Sequence, residues 1–185
     1  TGRWASIAGL ELGVAAPSIA EAVSARVVSS LQSERAAAGA RFTRPGGTAS
    51  KVDNLQLADA LLAGKICAYA QGFAVLAAAS DANGWKLALD KVARIWRAGC
   101  IIRAGFLDDV ARAYTEDPKL SNLIMAPEFV EMLERSIPAL RAVVTAAIGA
   151  GIPAPALSAS LAYFDSYVST RLPANLIQAQ RDFFG

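Results

Sequence analysis

The stretch ICAYAQGFAVLAAAS, residues 66 to 80, is the longest apolar run in the chain, and its reading decides the fold. Two structures suit such a run: a membrane span or a helix buried in a protein core. A span needs about 20 consecutive apolar residues. This run is shorter, carries Gln71 in its interior and has Lys65 at its edge. A buried helix is therefore expected, and no membrane partner. The helix extends on both sides, from about Asp53 to Ala82, and NGW (residues 83–85) breaks it.

Outward from this helix the pattern stays helical. No stretch alternates apolar and polar residues for long enough to suggest a strand. PSIAE (17–21) reads as a helix start, with Ser18 as N-cap and Glu21 three residues later. That helix is expected to run to about Gly39, and RFTRPGGTASK (41–51) to form a loop. LALDKVARIWRAGCIIRAGFLDDVARAY (87–114) reads as two helices joined near Gly99, and Pro118 opens a turn. PEFVEMLERSIPALRAVVTAAIGAG (127–151) is another long helix, with a kink predicted at Pro138. GIPAP (151–155) is a rigid connector before the helix ALSASLAYFDSYVST (156–170). A last helix covers PANLIQAQRDFF (173–184), with Pro173 suited to its first turn. The expectation is one all-α domain over residues 1–185, a bundle of long helices.

Composition narrows the function. Hydrophobic residues make up 54% of the chain and charged residues 18%, more apolar than an ordinary globular domain. Long helices this apolar leave broad faces that a second layer must cover. A homodimer burying well over about 2,000 Å² is the economical answer. The formal charge is +2 with scattered arginines and lysines, unlike the clustered footprint of a nucleic-acid binder. Arg3 precedes no apolar h-region, so no signal peptide is expected. Cys67 and Cys100 lie in apolar, helix-like sequence and read as buried free thiols of a cytoplasmic protein. The chain contains no histidine. That disfavours a metal site and removes Ser-His and Cys-His chemistry within it.

Four places hold polar groups that the pattern does not explain. Arg26 shares a helical face with Ile19, Ala22, Val23 and Val27, and a guanidinium there needs an anion. The anion is either an internal carboxylate or a bound phosphate or carboxylate. IWRAGCIIRAGFL (95–107), with Arg94 before it, sets Arg97 and Arg103 around Trp96 and Cys100. This reads as tight helix packing with paired arginines, and Trp96 as core. TGRW (1–4) is a ragged start or an anion-binding entry through the Thr1 hydroxyl. Arg181 either complements the C-terminal end of its helix dipole or serves as a ligand.

These pieces together resemble the C-terminal helical domain of the decarboxylating 6-phosphogluconate dehydrogenase family. TGRW, SSLQSER, YAQGF, IWRAGCIIRAGFL, AGIPAPALSASLAYFDSY and RLPANLIQAQRDFFG carry the resemblance, in the family's order and from one end of the chain to the other. It implies a parent enzyme that oxidises 6-phosphogluconate at C3 and releases carbon dioxide to give ribulose 5-phosphate. A Rossmann domain absent from this chain would bind NADP, no metal would be needed, and the helical domain would form most of a homodimer. It also implies three substrate contacts: Thr1 near the phosphate, Arg26 gripping it, and Arg181 reaching into the neighbouring subunit's site.

The departures matter as well. The family's lysine base and glutamate acid lie upstream of Thr1, as does a phosphate-binding lysine, so no catalytic residue is assigned here. A histidine-containing tail follows the family's glycine, where this chain stops at Gly185. Ala104 stands for a usual serine and Val168 for a usual arginine. The expectation is an excised domain, inactive alone. The rivals are the helical domain of another β-hydroxyacid dehydrogenase and an independent helical interaction module. An upstream G-x-G-x-x-G following a strand would separate the enzymes from the module.

Overall fold

Asp53 begins the helix around which the others gather. In the computed structural model, which describes residues 2–43, 51–97 and 100–185, its side chain accepts the Gln56 N–H at 2.8 Å. The Gln56 side chain accepts the Asp53 N–H at 3.0 Å in return. This reciprocal box satisfies two orphan donors at the start of α4 (Asn54–Asn83). Gly84 ends the helix in the left-handed region, φ 65°, where its missing Cβ removes the steric cost. Both ends fall within a residue of the sequence expectation.

Three helices precede α4: α1 (Gly2–Glu11), α2 (Pro17–Ser30) and α3 (Gln32–Arg41). Five follow: α5 (Leu89–Trp96), α6 (Leu107–Glu116), α7 (Pro127–Gly149), α8 (Pro155–Val168) and α9 (Ala174–Phe184). A 3-10 turn, Leu123–Met125, leads into α7. The described residues contain no strand, in line with the all-α expectation.

The helix α4 is buried or half-buried throughout from Ile66 to Ser80, whereas Leu55, Leu57 and Leu61 near its start are exposed. It packs mainly against α7, then α8, α2 and α1. Its composition and length would let it cross a bilayer, but half of its most apolar 18-residue window (50%) is buried in the bundle. Ile66, Ala70 and Phe73 meet Leu107, Val110 and Tyr114 of α6 and Phe129, Leu133 and Leu140 of α7 in one core. Phe73 stacks on Tyr114 at 5.4 Å and meets Trp96 edge-on at 5.2 Å. Trp96 is thus a packing residue, as expected. Of its flanking arginines, Arg97 pairs with Asp108 at 2.7 Å and Arg94 lies 3.9 Å from Asp90.

Three local expectations fail, each for a physical reason. Ser18 does not cap α2; the helix already starts at Pro17, and Ser18 lies buried in the first turn. The run to Gly39 is two helices, broken at Leu31 (φ −81°, ψ 56°). Arg35 covers an orphaned carbonyl there, donating Nη1–H to Ser29 at 3.1 Å. Cys100 is not helical; it sits in the connection between α5 and α6, half-buried. Gly99 itself, where those helices were expected to join, lies outside the described residues, as does most of the 41–51 loop. α7 remains a single helix through Pro138.

Cys67 is fully buried on α4, and burial pushes its thiol from 9.0 up to about 12. In the unfolded chain the thiol ionises above about 9. Between the two values the unfolded state binds fewer protons than the folded one, so stability declines as pH rises through that window. Tyr114 is raised for the same reason, loss of solvent, and acts in the same direction. At pH 8, iodoacetamide should modify Cys100 in the native protein and spare Cys67. Mass spectrometry of the labelled chain checks this; equal labelling of both thiols would contradict the burial.

Candidate functional site

The face expected for Arg26 exists. Ile19, Ala22, Val23 and Arg26 form a stripe at i, i+3, i+4 and i+7 on α2, and they wall a hollow of about 700 Å³. Leu61, Gly64, Lys65 and Ala68 of α4 form its second wall, and Ala156, Leu157 and Ser160 of α8 its third. Val27 is not part of it and is 59% exposed. The helices approach closely here because Gly64 has no side chain: a Cβ would lie 2.8 Å from Leu157 Cδ2. Gly2 makes an equally close approach, its absent Cβ 2.8 Å from Val23 Cγ2, and it too lines the hollow. Thr1 lies outside the described residues.

Arg26 is exposed at this hollow. No described carboxylate pairs with it, whereas Arg94, Arg97, Arg112 and Arg141 all have acidic partners. The internal ion pair considered from the sequence is therefore not formed within the described residues. Lys65 is a second cation on the lining, and its Nζ lies 5.8 Å from the centre of the Phe106 ring. In the sequence Lys65 stands out only as the edge of an apolar run. Its spacing, four residues after Leu61 on α4, is the signal that was available.

A buried polar chain crosses behind the hollow. Gln71, with no solvent exposure, accepts the Ser18 N–H on Oε1 at 2.9 Å and donates Nε2–H to Ser18 Oγ at 2.8 Å. Ser18 Oγ lies 2.9 Å from Ser160 Oγ, and Ser160 Oγ donates to the Ala156 carbonyl at 2.8 Å. A hydroxyl has one proton, so Ser160 spends its own on Ala156 and Ser18 donates to Ser160. The side-chain donors run from α4 through α2 to α8, and the Ser18 backbone N–H donates back to α4. Gln71 was legible as the lone amide in the 66–80 run, since a buried amide needs partners.

Arg181 is elsewhere. It lies on α9, which buries no residue, and leaves Leu176, Ile177, Phe183 and Phe184 62–83% exposed. The shallow hollow beside it is lined by α9 and Gly185 alone. It shares no residue with the Arg26 hollow, so one chain does not bring the two arginines together. Neither does Arg181 pair with a described carboxylate; its neighbour Asp182 accepts from Gln178 at 2.8 Å.

A dinucleotide cradle of the usual kind needs a strand, a glycine-rich turn and a helix. The described residues provide helices and their connections. They do not fit NADP in that manner, and no hydride step is assigned to them. Nor do the described residues contain a cluster of three or more His, Cys, Asp or Glu able to hold a metal ion.

Comparison with known proteins fits this architecture. Residues 1–185 match the family described as 6-phosphogluconate dehydrogenase, C-terminal domain. The chain is 50% identical over 192 residues to a decarboxylating 6-phosphogluconate dehydrogenase of Synechococcus elongatus, spanning 100% of this chain and 40% of that protein. It is 51% identical over 195 residues to the decarboxylating 6-phosphogluconate dehydrogenase 1 of Spinacia oleracea, with the same coverage. The 6-phosphogluconate dehydrogenase of Plasmodium falciparum, solved in its apo form, with its cofactor NADP+ and with its substrate 6-phosphogluconate, superposes with a TM-score of 0.90 at 40% identity. That match covers 97% of this chain and 40% of that one. The chain thus spans about two fifths of the length of these relatives. A family match along the whole chain, a shared helical architecture and half-identical relatives lead to one conclusion: the chain belongs to the 6-phosphogluconate dehydrogenase C-terminal domain family.

Proposed function

We propose that this chain is the substrate-anchoring and dimer-forming domain of an enzyme that oxidatively decarboxylates 6-phospho-D-gluconate to D-ribulose 5-phosphate with NADP. The nicotinamide site and the acid-base pair belong to a domain outside these 185 residues. Within them, Arg26 and Thr1 hold the substrate phosphate of their own subunit. Arg181 reaches the phosphate bound by the neighbouring subunit of a homodimer. Two planar guanidinium forks and a hydroxyl suit the oxygens of a phosphate dianion. The observation that carries the reading is the split of the two arginines: Arg26 is at a three-helix hollow without a described acidic partner, while Arg181 rides on a helix that buries nothing against its own chain. A second copy is what would bring them together.

The test is made in the full-length enzyme. Arg26→Ala removes a charge-assisted contact and should raise KM for 6-phosphogluconate about 10- to 100-fold. Lysine should restore little, because it cannot present a fork. The KM for NADP should hold. Steady-state kinetics decide it, and an unchanged KM for 6-phosphogluconate would remove Arg26 from the phosphate site.

A further inference from the structure

The sequence leaves α2 without a side-chain cap of its own: its N-cap position is Ala16, and no side chain from that turn accepts a first-turn N–H. The cap comes instead from another helix. Gln71 of α4 accepts the Ser18 N–H, and the same amide reaches Ser18 Oγ. Ser18 then hands a hydrogen bond to Ser160 of α8. Each of the three walls of the Arg26 hollow therefore contributes one member of a buried polar chain in which each side-chain oxygen and nitrogen has a partner. Such chains fix a unique arrangement, because any slip leaves a polar group buried and unpaired.

Arg26 lies two helical turns along α2 from Ser18, and both line the hollow. Rotation of α2 about its axis would pull the Ser18 N–H and Oγ away from Gln71 and swing Arg26 with them. A roll of about 20° moves a side-chain tip some 6 Å off the axis by about 2 Å. That is more than a bidentate phosphate contact tolerates. We infer that Gln71 is a positioning residue for the phosphate site: by capping α2 from α4 and tying it to α8, it fixes the roll of α2 and so the aim of Arg26. This rests on the reading of Arg26 as a phosphate ligand.

The experiment is a double-mutant cycle in the full-length enzyme, with Gln71→Met, which keeps the volume and loses both hydrogen bonds, and Arg26→Ala. Gln71→Met alone should raise KM for 6-phosphogluconate and the inhibition constant of inorganic phosphate together, by about tenfold, while kcat and the KM for NADP stay within about twofold. In the Arg26→Ala background it should add almost nothing, because its effect passes through that guanidinium. Ser160→Ala breaks the chain one link further on and should give a smaller rise, about threefold, with the same dependence on Arg26. If Gln71→Met does not fold, Ser160→Ala carries the cycle. Equal effects with and without Arg26, or a lowered melting temperature with KM unchanged, would overturn the inference and leave the phosphate reading intact. If Arg26→Ala alone leaves KM unchanged, the phosphate reading fails first, and the positioning role with it.

Discussion

If the proposed homodimer shares its sites, mixing equal amounts of two crippled full-length variants, Arg26→Ala and Arg181→Ala, should restore about a quarter of the wild-type sites once subunits exchange at random. Half of the dimers are then mixed. In a mixed dimer one site lacks both arginines and the other lacks neither. The assay is run below the KM of either variant, where each alone contributes little. The expectation follows from the separate location of the two guanidiniums, since Arg26 and Arg181 line hollows with no residue in common. If both served the same chain's site, every site in every dimer would keep one lesion. No recovery after exchange has been confirmed by mass would mean that Arg181 serves its own subunit or only complements its helix dipole.

The second large effect concerns stability. Phe73→Ala should destabilise the fold by about 3–5 kcal/mol, the usual cost of emptying a fully buried aromatic site. Phe73 has no solvent exposure and joins three helices: its own α4, α5 through Trp96 and α6 through Tyr114. The cavity would open between rings that cannot close on it without moving a whole helix. Phe73→Leu keeps most of the volume and should cost less than half as much. Urea denaturation followed by circular dichroism gives both values. A loss under about 1 kcal/mol for the alanine variant would mean that the α4–α6 seam collapses around the gap.

What the sequence reveals about this protein depends on how local the physics is. The ends of α4 were legible because Asp53, Gln56 and Gly84 act within one turn of where they stand. Ser18 was misread for the opposite reason. A serine followed three residues later by a glutamate is a local signature, but the group that accepts the α2 N–H arrives from Gln71, 53 residues away. Leu31 breaks a helix with neither glycine nor proline beside it, and the Arg35 contact that covers the break depends on the break itself. Cys100 looked helical because its neighbours are apolar, yet Ile101 beside it is almost fully exposed. The Arg26 stripe could be read from period alone. The role of Arg181 could not, since α9 has no buried face to give it a direction; its assignment came from the family resemblance.

The bond between Ser18 and Ser160 spans 142 residues of chain, and that separation sets a clock on biosynthesis. A ribosome adds roughly 5–20 residues per second, so on the order of ten seconds pass between the appearance of one serine and the other. Gln71 emerges well before Ser160 and can engage α2 early. The third wall comes only with α8. During that interval the α2 and α4 walls of the hollow lack the α8 side chains that complete it, and transiently exposed apolar surface of this kind favours aggregation. Slowing translation between α4 and α8 should lengthen this exposure and lower the soluble yield, even though the finished protein is unchanged.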